Sequence, residues 1–271
     1  LTLADPATES YPAQLQQMLG DGYEVGNFGK SGATLLRHGH RPYVEQEEWA
    51  KAKAFKGDIA VIHLGVNDTD PRNWPFYRDE FVSDYLALID TLRQQNPKCR
   101  VLVALLSPIT HNHPRFESGT HQWHEEIQEA IKTVARVGKA QLIDFHKPLY
   151  AYPQLLHDAV HPNKEGATML ARTVCAAILG NYGGLQMPMT YSDNMVLQRD
   201  RELTIHGTAN SGERVTVSIT RPDAAKGKSA NGAKRKKGKQ PMRVRALKTE
   251  VQTATAKAEM NGYWQVTLRP Q

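Results

Sequence analysis

Cysteine is nearly absent: Cys99 and Cys175 are the two in 271 residues. Two cysteines do not make a disulfide framework, and both read as ordinary thiols. Long apolar runs are missing as well. With no stretch of 18 or more apolar residues, no membrane span is expected. The opening "LTLADPATES" has neither a basic nor an apolar segment, so it does not read as a signal peptide. Excess positive charge is confined to one place. The net charge is +6, yet residues 226–239, "KGKSANGAKRKKGK", hold seven Lys or Arg and no acid. The remainder is close to neutral, so overall charge gives no reason to expect a nucleic-acid partner. The basic tract has no interleaved aromatics to stack on bases and no apolar face to bury. It is expected to be a solvated, disordered insertion near 222–240. What remains is ordinary for a globular protein: 40% hydrophobic and 23% charged residues.

Residues 1–180 alternate helical and strand patterns. "SYPAQLQQMLG" reads as a helix that Ser10 can cap, with Leu15, Met18 and Leu19 on one face. "YEVGNFG" reads as a short strand and "EQEEWAKAKAF" as a helix. "DIAVIHLG" (58–65) and "RVLVALLSP" are apolar runs of strand length, as expected for strands buried on both faces. Between them, "DEFVSDYLALIDTLRQQNP" places Phe81, Tyr85, Leu88 and Leu92 on one helical stripe, with Pro97 beyond its end. "HEEIQEAIKTVARVG" is helical, "AQLIDF" a strand, and "NKEGATMLARTVCAAILG" a closing helix. This order predicts a three-layer α/β/α sandwich around a parallel sheet. Ligands of such folds sit beyond the carboxyl ends of the strands, where "NFGKSG", "LGVNDTD" and "LLSPITHNH" fall. From about residue 184 to 271 the texture changes. "MTYSDNMVLQ", "RELTIHGTA", "ERVTVSIT" and "NGYWQVTLRP" read as short strands, and the Asn-Gly and Ser-Gly turns argue for antiparallel pairing. Four or five strands leave unpaired edges, so this second domain is expected to be a partial, sandwich-like β domain.

One motif carries acid–base chemistry. In "HDAVHPNKEG" (157–166), Asp158 and His161 stand three residues apart. A neutral imidazole takes a proton at neutral pH, and a carboxylate on its other nitrogen fixes the tautomer. Taken alone, the motif is weak, and a surface turn before a helix capped by Asn163 accounts for it better. Its company decides. Gly32 in "NFGKSG" can bring a backbone N–H to an oxyanion, and Asn67 in "GVND" can add an amide N–H. With Asp158 and His161, these make most of an acyl-transfer site.

"NFGKSGATLL", "HLGVNDTD" and "HDAVHPNKEG" resemble, in order and spacing, the second, third and last conserved blocks of the SGNH/GDSL esterase superfamily. The resemblance covers roughly residues 1–180, that is, a first domain of 1–183. It implies that Gly32 and Asn67 are oxyanion donors and that Asp158 and His161 are the acid and base of a triad. It implies no metal and no organic cofactor. The family's nucleophile is a serine in a Gly-Asp-Ser or Gly-x-Ser block closing a first strand, shortly before a segment like "LTLADPATESYPAQL"; here the sequence begins inside that segment, with no such block ahead of it. That serine is expected upstream of Leu1, together with a strand whose lack would weaken the sheet. Ser10 and Ser31 are the nearest serines, and Ser10 fits a helix cap. "YSDNMVLQRDRELTIHGTANSGERVTVSI" and "NGYWQVTLRP" resemble the opening β domain of sialate O-acetylesterases. Together the resemblances imply an esterase of O-acetylated glycans, with sialic acids as the first substrate and acetylxylan as the variant. By analogy such an enzyme is secreted or periplasmic. The rival reading is a carbohydrate-binding protein derived from an esterase, with the nucleophile lost.

Two further features have ordinary readings beside sharper ones. "HNHPRFESGTHQWHEE" (111–126) holds four histidines at spacings that can bind zinc, but reads better as a loop beside the pocket. Trp74 and Trp123 can offer sugar-stacking faces, or can simply pack.

Overall fold

The computed structural model describes residues 3–192, 195–198, 200–221 and 250–269. They divide into two compact units, Leu1–Asn181 and Tyr182–Gln271. The first contains a parallel sheet of β1 (Ile59–Ile62), β2 (Arg100–Leu105) and β3 (Gln141–Asp144), in that spatial order. Val61 stands opposite Leu102, and Val103 opposite Leu142. Five longer helices alternate with the strands: α1 (Tyr11–Leu19), α2 (Glu47–Phe55), α3 (Phe81–Gln95), α4 (Thr120–Val137) and α5 (Lys164–Leu179).

Successive side chains of a strand point to opposite faces, and β2 shows the consequence. Val101 and Val103 enter a core with Phe81, Tyr85 and Ile89 of α3 and Ile127 and Ile131 of α4. Leu102 and Ala104 enter a second core with Leu15 of α1 and Leu170, Ala171 and Val174 of α5. The central strand therefore needs apolar residues throughout, and the three-layer α/β/α architecture follows. Phe81, Tyr85 and Leu88 lie buried along the stripe of α3, with Ile89 beside them. Asn163 starts α5 by accepting the Gly166 N–H at 2.9 Å. At the other end of α5, the Arg100 guanidinium donates to the carbonyl oxygens of Ala177 and Ile178, closing groups that a helix terminus leaves open.

Three local expectations need correction. The strand read at 58–65 is paired only over Ile59–Ile62 and is half-buried, because its outer edge has no strand partner among the described residues. Chain direction then changes at Gly65, φ +128°. A Cβ there would sit 3.0 Å from Ile127 Cγ2 and 3.3 Å from Phe81 Cζ, so only glycine fits both the backbone and the space. Residues 23–29 form no strand. Their backbone is satisfied locally instead: Val25 N–H donates to Gln16 Oε1 at 2.8 Å, and Gln16 Nε2 donates to the Tyr23 carbonyl at 2.9 Å. The described part of "MTYSDNMVLQ" is not a strand either.

In the second unit, β4 (Leu203–Thr208) pairs antiparallel with β7 (Tyr263–Leu268), and β5 (Arg214–Arg221) with β6 (Glu250–Lys257). Trp264, Val266 and Leu268 of β7 alternate inward with Ile205 and Val215, while Gln265 and Thr267 face out. The basic tract at 226–239 lies outside the described residues. No helix among the described residues is long and apolar enough to cross a membrane.

Leu102 is fully buried between β2 and the α1/α5 layer. Leu102→Ala is expected to lower unfolding stability by about 2–5 kcal/mol in urea denaturation. A loss under about 1 kcal/mol would show that β2 is not enclosed as described.

Candidate active site

Parallel strands deliver their following loops to one edge of the sheet. After β1 comes a tight turn, Val66–Thr69, and it grips the segment around Gly32. Asn67 Nδ2 donates to the Ala33 carbonyl at 2.9 Å. Asp68, fully buried, accepts the Leu35 N–H at 2.9 Å and the Leu36 N–H at 2.8 Å. Asn73 reinforces the turn, donating to the Asn67 carbonyl at 2.9 Å and accepting the His40 N–H at 2.9 Å. Gly32 and Asn67 are thus brought together. Gly32 has φ +74°, a conformation that favours glycine, and its N–H makes no hydrogen bond among the described residues. The Asn67 amide carries two N–H groups; anchoring one on Ala33 fixes the direction of the other.

Asp158 and His161 are also brought together. Asp158 Oδ1 accepts the N–H groups of Val160 at 3.1 Å and His161 at 2.7 Å. Its Oδ2 lies 2.7 Å from His161 Nδ1. Burial alone would raise the Asp158 carboxyl, but the two backbone N–H groups and the imidazole outweigh it and hold it below its ordinary value. Facing an ionised carboxylate, Nδ1 carries the proton and Nε2 keeps its lone pair, as a general base requires. The tight turn places Ala159 at φ +73°, which costs a non-glycine residue about 1–2 kcal/mol. Its backbone is held on both sides: the carbonyl accepts the Thr110 N–H and the N–H donates to Leu156, each at 2.9 Å. The Thr110 contact ties the Asp158 turn to the loop following β2. His161 and Asp158 remain open, with side chains 66% and 48% exposed.

Neither Ser10 nor Ser31 serves His161. Ser10 sits at the N-cap of α1, although its hydroxyl makes no capping bond, and Ser31 is exposed. Among the described residues no hydroxyl hydrogen-bonds to His161. Three of the four histidines of 111–126 have separate partners. His121 pairs with Glu125 on α4, His113 Nδ1 accepts the Arg115 N–H, and buried His124 meets the Ser107 carbonyl at 2.9 Å. Desolvation pushes His124 down to about 4, so it is neutral and structural. Among the described residues no three His, Cys, Asp or Glu side chains gather to hold a metal. Trp74 is not a sugar platform: it is buried against Phe81, with its indole N–H on Glu126 Oε2 at 2.7 Å. Trp123 is half-buried and packs against the α3/α4 core.

Sequence reasoning missed Asp68 and Asp70. Asp70 accepts a two-pronged contact from Arg72, Nε at 2.9 Å and Nη2 at 3.0 Å, and a third from Arg115 Nη1 at 2.7 Å. The Arg72 hydrogen bonds, with Arg115 adding to them, hold its carboxyl well below the usual range. This clamp joins the loops after β1 and β2. The Asp-Pro-Arg spacing of "TDPR" was its one local signal; Arg115 had none.

Burial pushes Asp68 up to about 6 from an ordinary 3.8, outweighing the N–H groups of Leu36 and Leu35. Between those values the native state binds more protons than the unfolded chain, so this group adds stability as pH falls from 7 to 4. Asp68→Asn removes the titration and turns an amide N–H toward backbone donors. The variant is expected to be less stable at pH 7 by about 1–3 kcal/mol. The gap to the parent chain should widen on the order of 2 kcal/mol by pH 4, read from urea unfolding at each pH. A gap independent of pH would contradict the assignment.

Comparison with known proteins bears on the family and the fold. Residues 3–169 match the GDSL-like Lipase/Acylhydrolase family. An acetylxylan esterase of Xylanibacter ruminicola is 36% identical over 188 residues, which cover 64% of this chain and 39% of that protein. The chain thus spans about two fifths of the length of that relative. The crystal structure of an acetyl xylan esterase, AlAXEase, superposes with a TM-score of 0.51 at 22% identity, covering 63% of this chain and 91% of that one. At that identity the likeness shows a shared fold. With the family match spanning more than half of its residues, this chain belongs to the GDSL-like lipase/acylhydrolase family.

Proposed function

We propose that the site hydrolyses acetyl esters of carbohydrate by serine chemistry. The observation that carries this reading is the pairing of His161 Nδ1 with Asp158 at 2.7 Å, which leaves Nε2 as base. On this reading the nucleophile is the family's serine, which the described residues do not place at His161. Its Oγ attacks the acetyl carbonyl carbon while Nε2 of His161 takes its proton. Gly32 N–H and the second Asn67 N–H stabilise the oxyanion. The imidazolium then returns the proton to the departing sugar hydroxyl, leaving an acetyl-serine. Water, deprotonated by His161, attacks that ester, and acetate leaves with the serine proton restored. This chain's own share is proton transfer, oxyanion binding and orientation. The relative from Xylanibacter ruminicola, named an acetylxylan esterase, favours acetylxylan as the substrate. The narrower sialate reading rests on the resemblance of the second unit alone. Action on such glycans fits a secreted or periplasmic protein.

A second reading, a carbohydrate-binding protein without hydrolysis, is favoured by one observation: no hydroxyl among the described residues meets His161. A small aryl acetate separates the two when the assayed protein carries its preceding segment. Hydrolysis is expected, and His161→Ala should lower kcat/KM by about 10³-fold or more. Asn67→Ala should cost about 10²–10³ in kcat. Near-full activity of His161→Ala would remove the esterase assignment. No hydrolysis by the protein with its preceding segment would favour the binder. Acetylated xylan and O-acetyl sialic acid as competing substrates rank the sugars.

A further inference from the structure

Around the Gly32/Asn67 pair, most cations have an acid to answer them. Lys30 meets Glu48 at 2.8 Å, and Arg37 lies 3.7 Å from Asp84. Arg41 differs: it is exposed, and its side chain makes no hydrogen bond or ion pair among the described residues. Its guanidinium nevertheless has a defined place. Nη1 lies 3.3 Å from where a Cβ on Gly32 would sit, so it stands directly against the oxyanion glycine. The backbone on either side is fixed. The Arg41 carbonyl accepts the Thr34 N–H at 2.8 Å, and His40 N–H donates to Asn73, which itself holds Asn67.

The same rim carries Arg72 and Arg115, which share the single carboxylate of Asp70. Arg115 contacts His113 through its backbone N–H, and His113 lies in the loop whose Thr110 is bonded to the Asp158 turn. Arg41, Arg72 and Arg115 thus have one carboxylate partner among them, the buried Asp70, which Arg72 and Arg115 share. Two further acids of the candidate site are committed: Asp68 is buried on backbone N–H groups, and Asp158 holds His161. An excess of positive charge at the mouth of a site attracts anions, and a guanidinium matches a carboxylate in a two-pronged contact.

We infer that Arg41 is a specificity-determining residue that recognises a carboxylate on the sugar, so that the site prefers acidic glycans over neutral ones. This rests on the carbohydrate reading above. Two sources share the chemistry, a uronic acid borne by a xylan-type chain and a sialic acid.

The probes carry no acetyl ester, so calorimetry on the protein with its preceding segment tests the inference independently of hydrolysis. The probes are a neutral xylo-oligosaccharide, the same oligosaccharide bearing glucuronic acid, and N-acetylneuraminic acid. At least one acidic probe is expected to bind about 10- to 100-fold more tightly than the neutral one. Arg41→Gln should collapse that ratio to about one, Arg41→Lys should give an intermediate value, and about 0.5 M salt should shrink it. The basic tract at 226–239 is unchanged in these variants, so a ratio that survives Arg41→Gln overturns the inference. Equal binding of acidic and neutral probes, or no measurable binding of either acid, overturns it too. Which acid responds to Arg41 identifies the source. An unchanged melting temperature in Arg41→Gln reports an intact fold, because the side chain has no bonded partner among the described residues to lose.

Discussion

The buried carboxylate of Asp68 is the constraint on which the site depends. It has no exposed surface and spends both oxygens on the N–H groups of Leu35 and Leu36, more than thirty residues away in sequence. A buried N–H left without a partner costs about 1–3 kcal/mol, so two of them bind this loop firmly. Asn67, the preceding residue, takes the Ala33 carbonyl from the same loop. Two adjacent side chains therefore hold both kinds of backbone group in one short segment. Gly32 stands next to Ala33, so these contacts help set its position relative to Asn67, together with the backbone bonds of Thr34 to Arg41 and Tyr43. Burial opposes the arrangement by disfavouring the charged form of Asp68, and the raised carboxyl is the sign of that opposition.

The second half of the site is built differently. Asp158 and His161 lie within one turn, so their pairing is local and survives exposure to solvent. What requires the fold is the placement of that turn. Ala159 accepts an unfavourable backbone conformation because Thr110 and Leu156 both bond to it, and its side chain is buried. The loop after β2 therefore supports the dyad, and the clamp of Asp70 with Arg72 and Arg115 ties that loop to the turn after β1. Parallel strand direction brings the parts to one rim; a few side chains of opposite charge keep them in register there.

Elements whose signal is periodic and self-contained were legible in the sequence. β2 reads as apolar throughout because both faces are covered, and α3 and α5 carry their stripes and stops within their own residues. Two pairings were legible for the related reason that short motifs encode local turns: Asp158 with His161, and Asn67 with the segment beside Gly32. Elements that depend on a partner were not. Residues 23–29 have strand-like composition, but a strand exists only when another edge bonds to it, and here Gln16 takes that role. Trp74 reads the same whether it faces a sugar or Phe81, since only tertiary packing separates the cases. Asp68, Asp70 and Arg115 were hidden because their partners lie 30 or more residues away or, for Arg72, look like an ordinary turn.

A serine-directed fluorophosphonate bound to the protein with its preceding segment, followed by a crystal structure, tests the central claim most directly. The adduct places a phosphonyl oxygen where the oxyanion forms. The account predicts that oxygen about 2.7–3.1 Å from both Gly32 N and Asn67 Nδ2, with His161 Nε2 facing the serine Oγ. An adduct whose oxygen is turned away from both donors, or a modified serine out of reach of His161, would contradict it.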